Sequence, residues 1–210
     1  TSHEVIMTTK SKVKSNIIGL DIGLAFGRFF LNTEDLHFGY WPVGEKPTSR
    51  NFAWAQENHS KLIMDKIPKG TRRILDVGSG SGILSIAARK LGATEVLGLE
   101  VDSVATKVAE SNIRMNSVDR AVKVEEGTLP HPEASAGSYD LVLANISAVV
   151  VSDLSAELVL ALASAGSIVA SGILLEKQVQ VAGRLQAAGA VIDRVEADGD
   201  WVTLVARKAI

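Results

Sequence analysis

The sequence predicts an α/β domain: a three-layer αβα sandwich around a seven-stranded, mostly parallel sheet whose last strand is antiparallel. From Arg72 onward, short β-branched runs alternate with helical stretches, which is typical of parallel strands with helices on both faces. The last two runs are joined only by residues 196–200, whose Asp-Gly-Asp predicts a hairpin and hence an antiparallel last strand. A chain of 210 residues, 46% of them hydrophobic, can bury the core of one such domain.

The strands are predicted from aliphatic and β-branched runs at 73–77, 95–101, 122–125, 140–145, 167–171, 190–195 and 201–206. Helices are expected between them, at 83–91, from 103 onward, around 154–162 and around 178–188. The first helix has apolar residues at i, i+3, i+4 and i+8 and ends at Gly92. Segment 127–138 contains two prolines and is predicted to be a loop.

Residues 1–70 are less regular, and we expect them to form an N-terminal helical cap or lid on the domain of residues 71–210. An amphipathic helix is predicted over 51–66. His59 shares the apolar stripe of that helix, so we expect it to pack rather than to act as a base.

Composition excludes several kinds of site and partner. The formal net charge of −2 gives no long-range attraction to nucleic acid, and the absence of cysteine excludes disulfides and thiolate chemistry. The four histidines are far apart in sequence, so no bound metal is expected. The N-terminus has no signal-peptide pattern, and serines and glycines break the uncharged stretch 158–175. We therefore expect a cytoplasmic protein without a membrane span.

The strongest chemical signal is a glycine-rich loop, Gly78-Ser79-Gly80-Ser81-Gly82, which leads directly from the first strand into the first helix. In an open α/β sheet, ligands bind beyond the carboxyl ends of the strands. Glycines let a ligand lie against the backbone, and the helix start offers unpaired N–H groups. The loop is therefore predicted to hold a nucleotide.

The spacing of the glycines in the loop limits which kinds of nucleotide it can bind. A dinucleotide fingerprint needs glycine at position 83, where the chain has Ile83. A P-loop needs a Gly-Lys-Ser/Thr sequence, and no lysine lies between Arg73 and Lys90. Glu100 closes the second strand, where a carboxylate can accept hydrogen bonds from both ribose hydroxyls. Asp102 is expected to cap the following helix instead.

The segment Asp76 to Gly82, together with Glu100, resembles the S-adenosylmethionine site of class I methyltransferases, whose fold is Rossmann-like. Within that superfamily, residues 74–88, 92–116, 143–146 and 171–174 are similar to the PrmA family, bacterial enzymes that methylate a protein of the large ribosomal subunit. The resemblance covers about 72–207. We expect that family's N-terminal recruiting domain to be missing from this chain.

This resemblance implies S-adenosyl-L-methionine as cofactor and S-adenosyl-L-homocysteine as product. The residues it implies as cofactor-binding are Asp76, Gly78, Ser79, Gly80, Gly82, Glu100, Val101, Glu126, Gly127, Asn145 and Ile146. Asn145 is also the predicted catalytic residue, since its carbonyl can orient an amine nucleophile for in-line attack.

The aromatic segment 36–41 is similar to a stretch that closes over cofactor and substrate in several small-molecule methyltransferases. His37, Tyr40 and Trp41 are therefore candidate substrate or lid residues. A hydrophobic plug that packs the cap is the alternative, and aromatic side chains suit both roles.

Four functions remain open at this stage. A PrmA-like methyltransferase acting on a protein amine is favoured by the core sequence. A small-molecule methyltransferase is favoured by the short cap. A non-catalytic module binding a partner or RNA, and an NAD-dependent oxidoreductase, are the other two; position 83 is the main difficulty for the oxidoreductase.

Overall fold

The computed structural model describes residues 48–51, 54, 58 and 70–209. The chain divides into two compact units, residues 1–59 and 60–210. In the first unit, a single 3-10 turn spans Ser49–Asn51, and the Thr48 and Asn51 side chains each accept the other's backbone N–H. Trp54 and Asn58, within the predicted helix of residues 51–66, are helical. Apart from these two and Gly70, the rest of the predicted cap, including His59, lies outside the described residues, and the predicted domain boundary after residue 70 stays a prediction.

The second unit contains a seven-stranded sheet within residues 70–209. Its strands are β1 Arg73–Val77, β2 Glu95–Glu100, β3 Val122–Glu126, β4 Tyr139–Asn145, β5 Leu162–Leu174, β6 Ala190–Asp198 and β7 Trp201–Lys208. Their order is β3-β2-β1-β4-β5-β7-β6. Strands β1 to β5 are parallel to one another, and β7 runs antiparallel to both β5 and β6. The predicted mostly parallel sheet with an antiparallel last strand is confirmed.

Five α-helices within residues 70–209 complete the three layers. They are α1 Ile83–Lys90, α2 Ser103–Met115, α3 Ala148–Asp153, α4 Ser155–Ala161 and α5 Gln178–Ala187. Apolar side chains of α1 and α2 share one core cluster with one face of the sheet. Those of α3, α4 and α5 share the second cluster with the other face.

Two local patterns explain why the elements nearest the glycine loop form. The four residues of β1 that follow Arg73 are all buried, as expected for a central parallel strand covered on both faces. Asp102 is the N-cap of α2, and its side chain accepts the N–H of Val104 at 2.8 Å. The predicted capping role of Asp102 is thereby confirmed.

Several predicted boundaries were wrong, and one helix was missed. Strand β6 extends to Asp198 and β7 to Lys208, so only residues 199–200 join them, not the predicted 196–200. Strand β5 begins at Leu162, not at residue 167, because the chain leaves α4 directly into the sheet beside Tyr139. Helix α3 was not predicted, since its consecutive valines favour a strand. It forms because Ser147 caps it and because Val151 is completely buried against the core. No helix among the described residues is long and apolar enough to cross a membrane.

Candidate active site

The glycine loop lies at the point where the strand order of the sheet reverses. Strand β1 pairs with β2 on one side and with β4 on the other, so the chain moves outward in opposite directions from this position. Crevices at such switch points, beyond the carboxyl ends of the strands, are where open α/β sheets bind ligands.

The backbone of the loop is fixed to β2. The N–H groups of Gly78 and Ser79 both donate to the carbonyl of Leu99, at 2.8 and 3.1 Å. Gly78 has φ +72, and a Cβ there would overlap Cγ2 of Ile146. Glycine at 78 is therefore needed both for its backbone conformation and for the approach of the segment after β4.

Gly80 occupies the open side of the loop. Its φ is +54, and no atom of the described residues lies within 4 Å of where a Cβ would be. Its N–H donates to Oε2 of Glu100 at 2.8 Å. The space above Gly80 is therefore accessible to a ligand, while its N–H holds the loop to the end of β2.

Glu100 is nearly buried, with 9% of its surface exposed. Besides the bond from Gly80, its Oε1 accepts the N–H of Asp102 at 3.0 Å. Each carboxylate oxygen accepts one of these bonds and keeps a lone pair for another donor. Glu100 thus supports the loop in the absence of ligand and can still accept hydrogen bonds from two hydroxyls.

Asp76 is buried at the end of β1, with 1% of its surface exposed. The hydroxyl of Ser85, on α1, donates to its Oδ2 at 2.6 Å. Burial raises the pKa of Asp76 to about 6, and the Ser85 hydrogen bond opposes that rise. Among the described residues, its Oδ1 finds no hydrogen-bond partner, so an unsatisfied acceptor lies directly below the glycine loop.

Three further residues that are predicted to bind the cofactor, Val101, Glu126 and Gly127, lie next to Glu100. The N–H of Gly127 donates to the Glu100 carbonyl at 2.8 Å, which places the end of β3 beside the end of β2. Glu126 and Val101 are exposed on this edge. His131 packs against Gly127, with its Cδ2 3.0 Å from where a Cβ would lie.

Asn145 and Ile146 follow at the carboxyl end of β4. Asn145 pairs in register with Ser171 of β5, and its Oδ1 faces Gly172. Ile146 reaches the glycine loop through its side-chain contact with Gly78. The structure therefore brings the predicted catalytic residue and the predicted cofactor loop to adjacent strand ends.

Two supporting residues were missed by the sequence analysis. Asn112 of α2 donates from Nδ2 to the Ser81 carbonyl at 2.9 Å, so a second helix holds the glycine loop. Ser85 holds Asp76. Both are polar residues that are buried on the inner faces of amphipathic helices, and a buried polar side chain on such a face is the signal that could have identified them.

These features fit the methionine and ribose ends of S-adenosylmethionine. The unsatisfied Oδ1 of Asp76 and the open face of Gly80 suit an ammonium group lying against backbone. Glu100 suits the ribose hydroxyls. The assignment of these individual residues stays a prediction. His37, Tyr40 and Trp41 lie outside the described residues, so the lid also stays a prediction.

Comparisons with known proteins agree with this geometry. Residues 60–209 match the family model described as ribosomal protein L11 methyltransferase (PrmA). The chain is 37% identical over 195 residues to the ribosomal protein L11 methyltransferase of an Exiguobacterium species, and 34% over 194 residues to that of Listeria innocua. The alignments cover 93% and 92% of this chain and 54% of each relative, so the chain spans about half the length of the curated relatives it matches.

Solved structures give the same result. A ribosomal protein L11 methylase from Lactobacillus delbrueckii subsp. bulgaricus superposes with a TM-score of 0.65 at 30% identity, over 74% of this chain and 81% of that one. The [4+2]-cyclase SpnF superposes with a TM-score of 0.74 over 95% and 94% of the two chains, but at 17% identity it shows the fold alone. The Rossmann-like fold and the cofactor class expected from the resemblance are confirmed, and the chain belongs to the ribosomal protein L11 methyltransferase (PrmA) family.

Proposed function

We propose that this chain carries the catalytic domain of an S-adenosylmethionine-dependent methyltransferase. We propose further that the methyl acceptor is an amine of a ribosomal protein, as the names of the relatives indicate for those proteins. The observation that carries the proposal is the adjacency of Asn145 to the glycine loop, made through the contact of Ile146 with Gly78. An acceptor-orienting amide and a cofactor-binding loop at neighbouring strand ends are the arrangement that methyl transfer needs.

Each residue of the site has a defined task in this reaction. Bound S-adenosylmethionine supplies a methyl group on a sulfonium, whose neutral thioether is a good leaving group. Glu100 and the loop around Gly80 hold the nucleoside and methionine parts in place. The carbonyl of Asn145 accepts a hydrogen bond from the acceptor amine and directs its lone pair along the line of attack.

The proton balance favours an amine acceptor. The nitrogen must be neutral when it attacks, and the new C–N bond forms as the C–S bond breaks, with the electron pair going to sulfur. The proton then passes from nitrogen to solvent. Asn145 can orient the amine without acting as a base, so the reaction requires no catalytic histidine at this strand end.

The test is a methylation assay with isotopically labelled cofactor. The wild-type chain is incubated separately with purified ribosomal protein L11 and with a metabolite extract. We expect label in the protein, with mass spectrometry placing it on an amine. Asn145→Ala is expected to lower kcat about 100-fold and the affinity for S-adenosylhomocysteine much less, because the main task of the amide is to orient the acceptor.

Two results would contradict the proposal. Label only in small molecules would favour the small-molecule methyltransferase, and tight cofactor binding without turnover on either acceptor would favour a non-catalytic module. A cytoplasmic location, where ribosomal proteins are made, is part of this proposal.

A further inference from the structure

Strand β5 is irregular at the point where it faces Asn145. On one side it pairs in register with β4, with Ser171 opposite Asn145. On the other side its pairing with β7 shifts between Ala170 and Ile173. Gly172 lies inside this shift with φ +75, a left-handed conformation that glycine adopts without strain.

The contacts of Gly172 explain why no side chain is present there. A Cβ at this position would lie 3.1 Å from the carbonyl oxygen of Ile146, 3.2 Å from Oδ1 of Asn145 and 3.4 Å from the backbone nitrogen of Ile146. Two of these three atoms are backbone, which cannot give way as the end of a flexible side chain can. The absent Cβ therefore leaves the space that the Asn145 amide and the 145–146 segment occupy.

Ile146 links this contact to the glycine loop. Its backbone lies against Gly172, and its side chain lies against Gly78 at the end of β1. Glycines on both neighbouring strands thus enclose the residue that follows Asn145. A displacement of the 145–146 segment away from Gly172 changes the position of the amide relative to the loop.

We propose that Gly172 is a positioning residue for methyl transfer, setting the location of the Asn145 side-chain amide. This inference rests on the proposed function, because Asn145 is the group through which Gly172 acts. A misplacement of about 1 Å at a reacting site can lower the rate about 100-fold, so Gly172→Ala is expected to reduce kcat to about that extent. Its affinity for S-adenosylhomocysteine is expected to change much less.

A matched control separates contact from backbone strain. Gly137 has φ +67, close to that of Gly172, but a Cβ there would meet nothing within 4 Å in the part of the chain that the structure describes. Gly137→Ala therefore introduces a similar strain without the contact and is expected to leave kcat unchanged. Gly172→Asn serves if the alanine variant does not fold, since asparagine tolerates the left-handed region better and carries the same Cβ.

A double-mutant cycle then tests whether Gly172 acts through Asn145. If it does, adding Gly172→Ala to Asn145→Ala costs no further kcat, because the amide to be positioned is already gone. An equal loss in both backgrounds would overturn the proposal, as would wild-type kcat in the single variant. A fall in cofactor affinity as large as the fall in kcat would assign Gly172 to the cofactor loop instead.

A structural readout keeps this test independent of activity. The side-chain amide of Asn145 gives a pair of nitrogen–proton NMR signals, which are identified by their loss in Asn145→Ala. Gly172→Ala is expected to shift this pair in the cofactor-free protein, and Gly137→Ala is not. Unshifted Asn145 signals in Gly172→Ala would refute the positioning role. If the signals shift in Gly172→Ala but the wild-type protein has no methyltransferase activity, only the proposed function is refuted.

Discussion

Replacing Glu100 by glutamine tests whether this residue supports the loop as well as the ligand. In the wild type, Oε2 accepts the N–H of Gly80 at 2.8 Å and Oε1 accepts that of Asp102 at 3.0 Å. Glutamine has a single oxygen, so its NH₂ group must face one of these two donors. A hydrogen bond to a charged acceptor contributes about 1.5–3 kcal/mol, and Glu100→Gln is expected to lower the free energy of unfolding by about 2 kcal/mol.

The assay is chemical denaturation of the cofactor-free protein at pH 7, followed by titration with S-adenosylhomocysteine. Glu95 provides the control, because it begins the strand that Glu100 ends and its exposed carboxylate pairs with Arg73 at 3.0 Å. An exposed pair of this kind contributes about 0–1 kcal/mol, so Glu95→Gln is expected to have a small effect. Cofactor binding is expected to weaken by about 1–3 kcal/mol in Glu100→Gln only.

Equal unfolding curves for the two variants would refute the supporting role of Glu100. Unchanged affinity for S-adenosylhomocysteine would remove Glu100 from the cofactor site while leaving its role in the loop.

Asp76→Asn is expected to remove a pH dependence of stability: the pKa of Asp76 rises from 3.8 to about 6 in the folded state, so the wild type loses about 2 kcal/mol relative to the variant as pH increases from 4 to 7. Denaturation of both cofactor-free proteins at several pH values measures this, and parallel stability curves would contradict it. Asn112→Ala removes the 2.9 Å bond to the Ser81 carbonyl, which should cost about 1 kcal/mol of stability and weaken cofactor binding several-fold. The control is Asn116→Ala, because Asn116 lies one turn further along and its side chain donates to the helix backbone at Asn112. Equal cofactor affinities in the two variants would argue against a role of Asn112 in holding the loop.

Much of the fold was predictable because its signals are local. Strand β1 is a short apolar run followed at once by Gly78, and the Asp-Gly-Asp turn marks the hairpin before β7. The same local signals failed where tertiary contacts decide. The valines of α3 favour a strand, yet Val151 is buried in a helix, and the first residues of β5 are small and carry no β-branched signal.

The candidate site was predictable where one motif defines it. The glycine spacing identifies the loop, and Glu100 closes the next strand, so both positions follow from the chain itself. The contacts that position these groups depend on strand register. Ser171 of β5 pairs with Asn145 of β4, and this pairing places the next residue, Gly172, beside Asn145. Ser85 and Asn112 reach the site from helices, and no spacing rule in the sequence connects them to it.

The glycine loop and Glu100 are expected to bind the sulfonium cofactor in this domain. Calorimetric titration of the folded chain with S-adenosylmethionine, S-adenosylhomocysteine and NAD tests this expectation most directly. We expect binding of the first two in the micromolar range, with no binding of NAD. Binding of NAD, or no binding of either sulfur ligand by the folded protein, would contradict it.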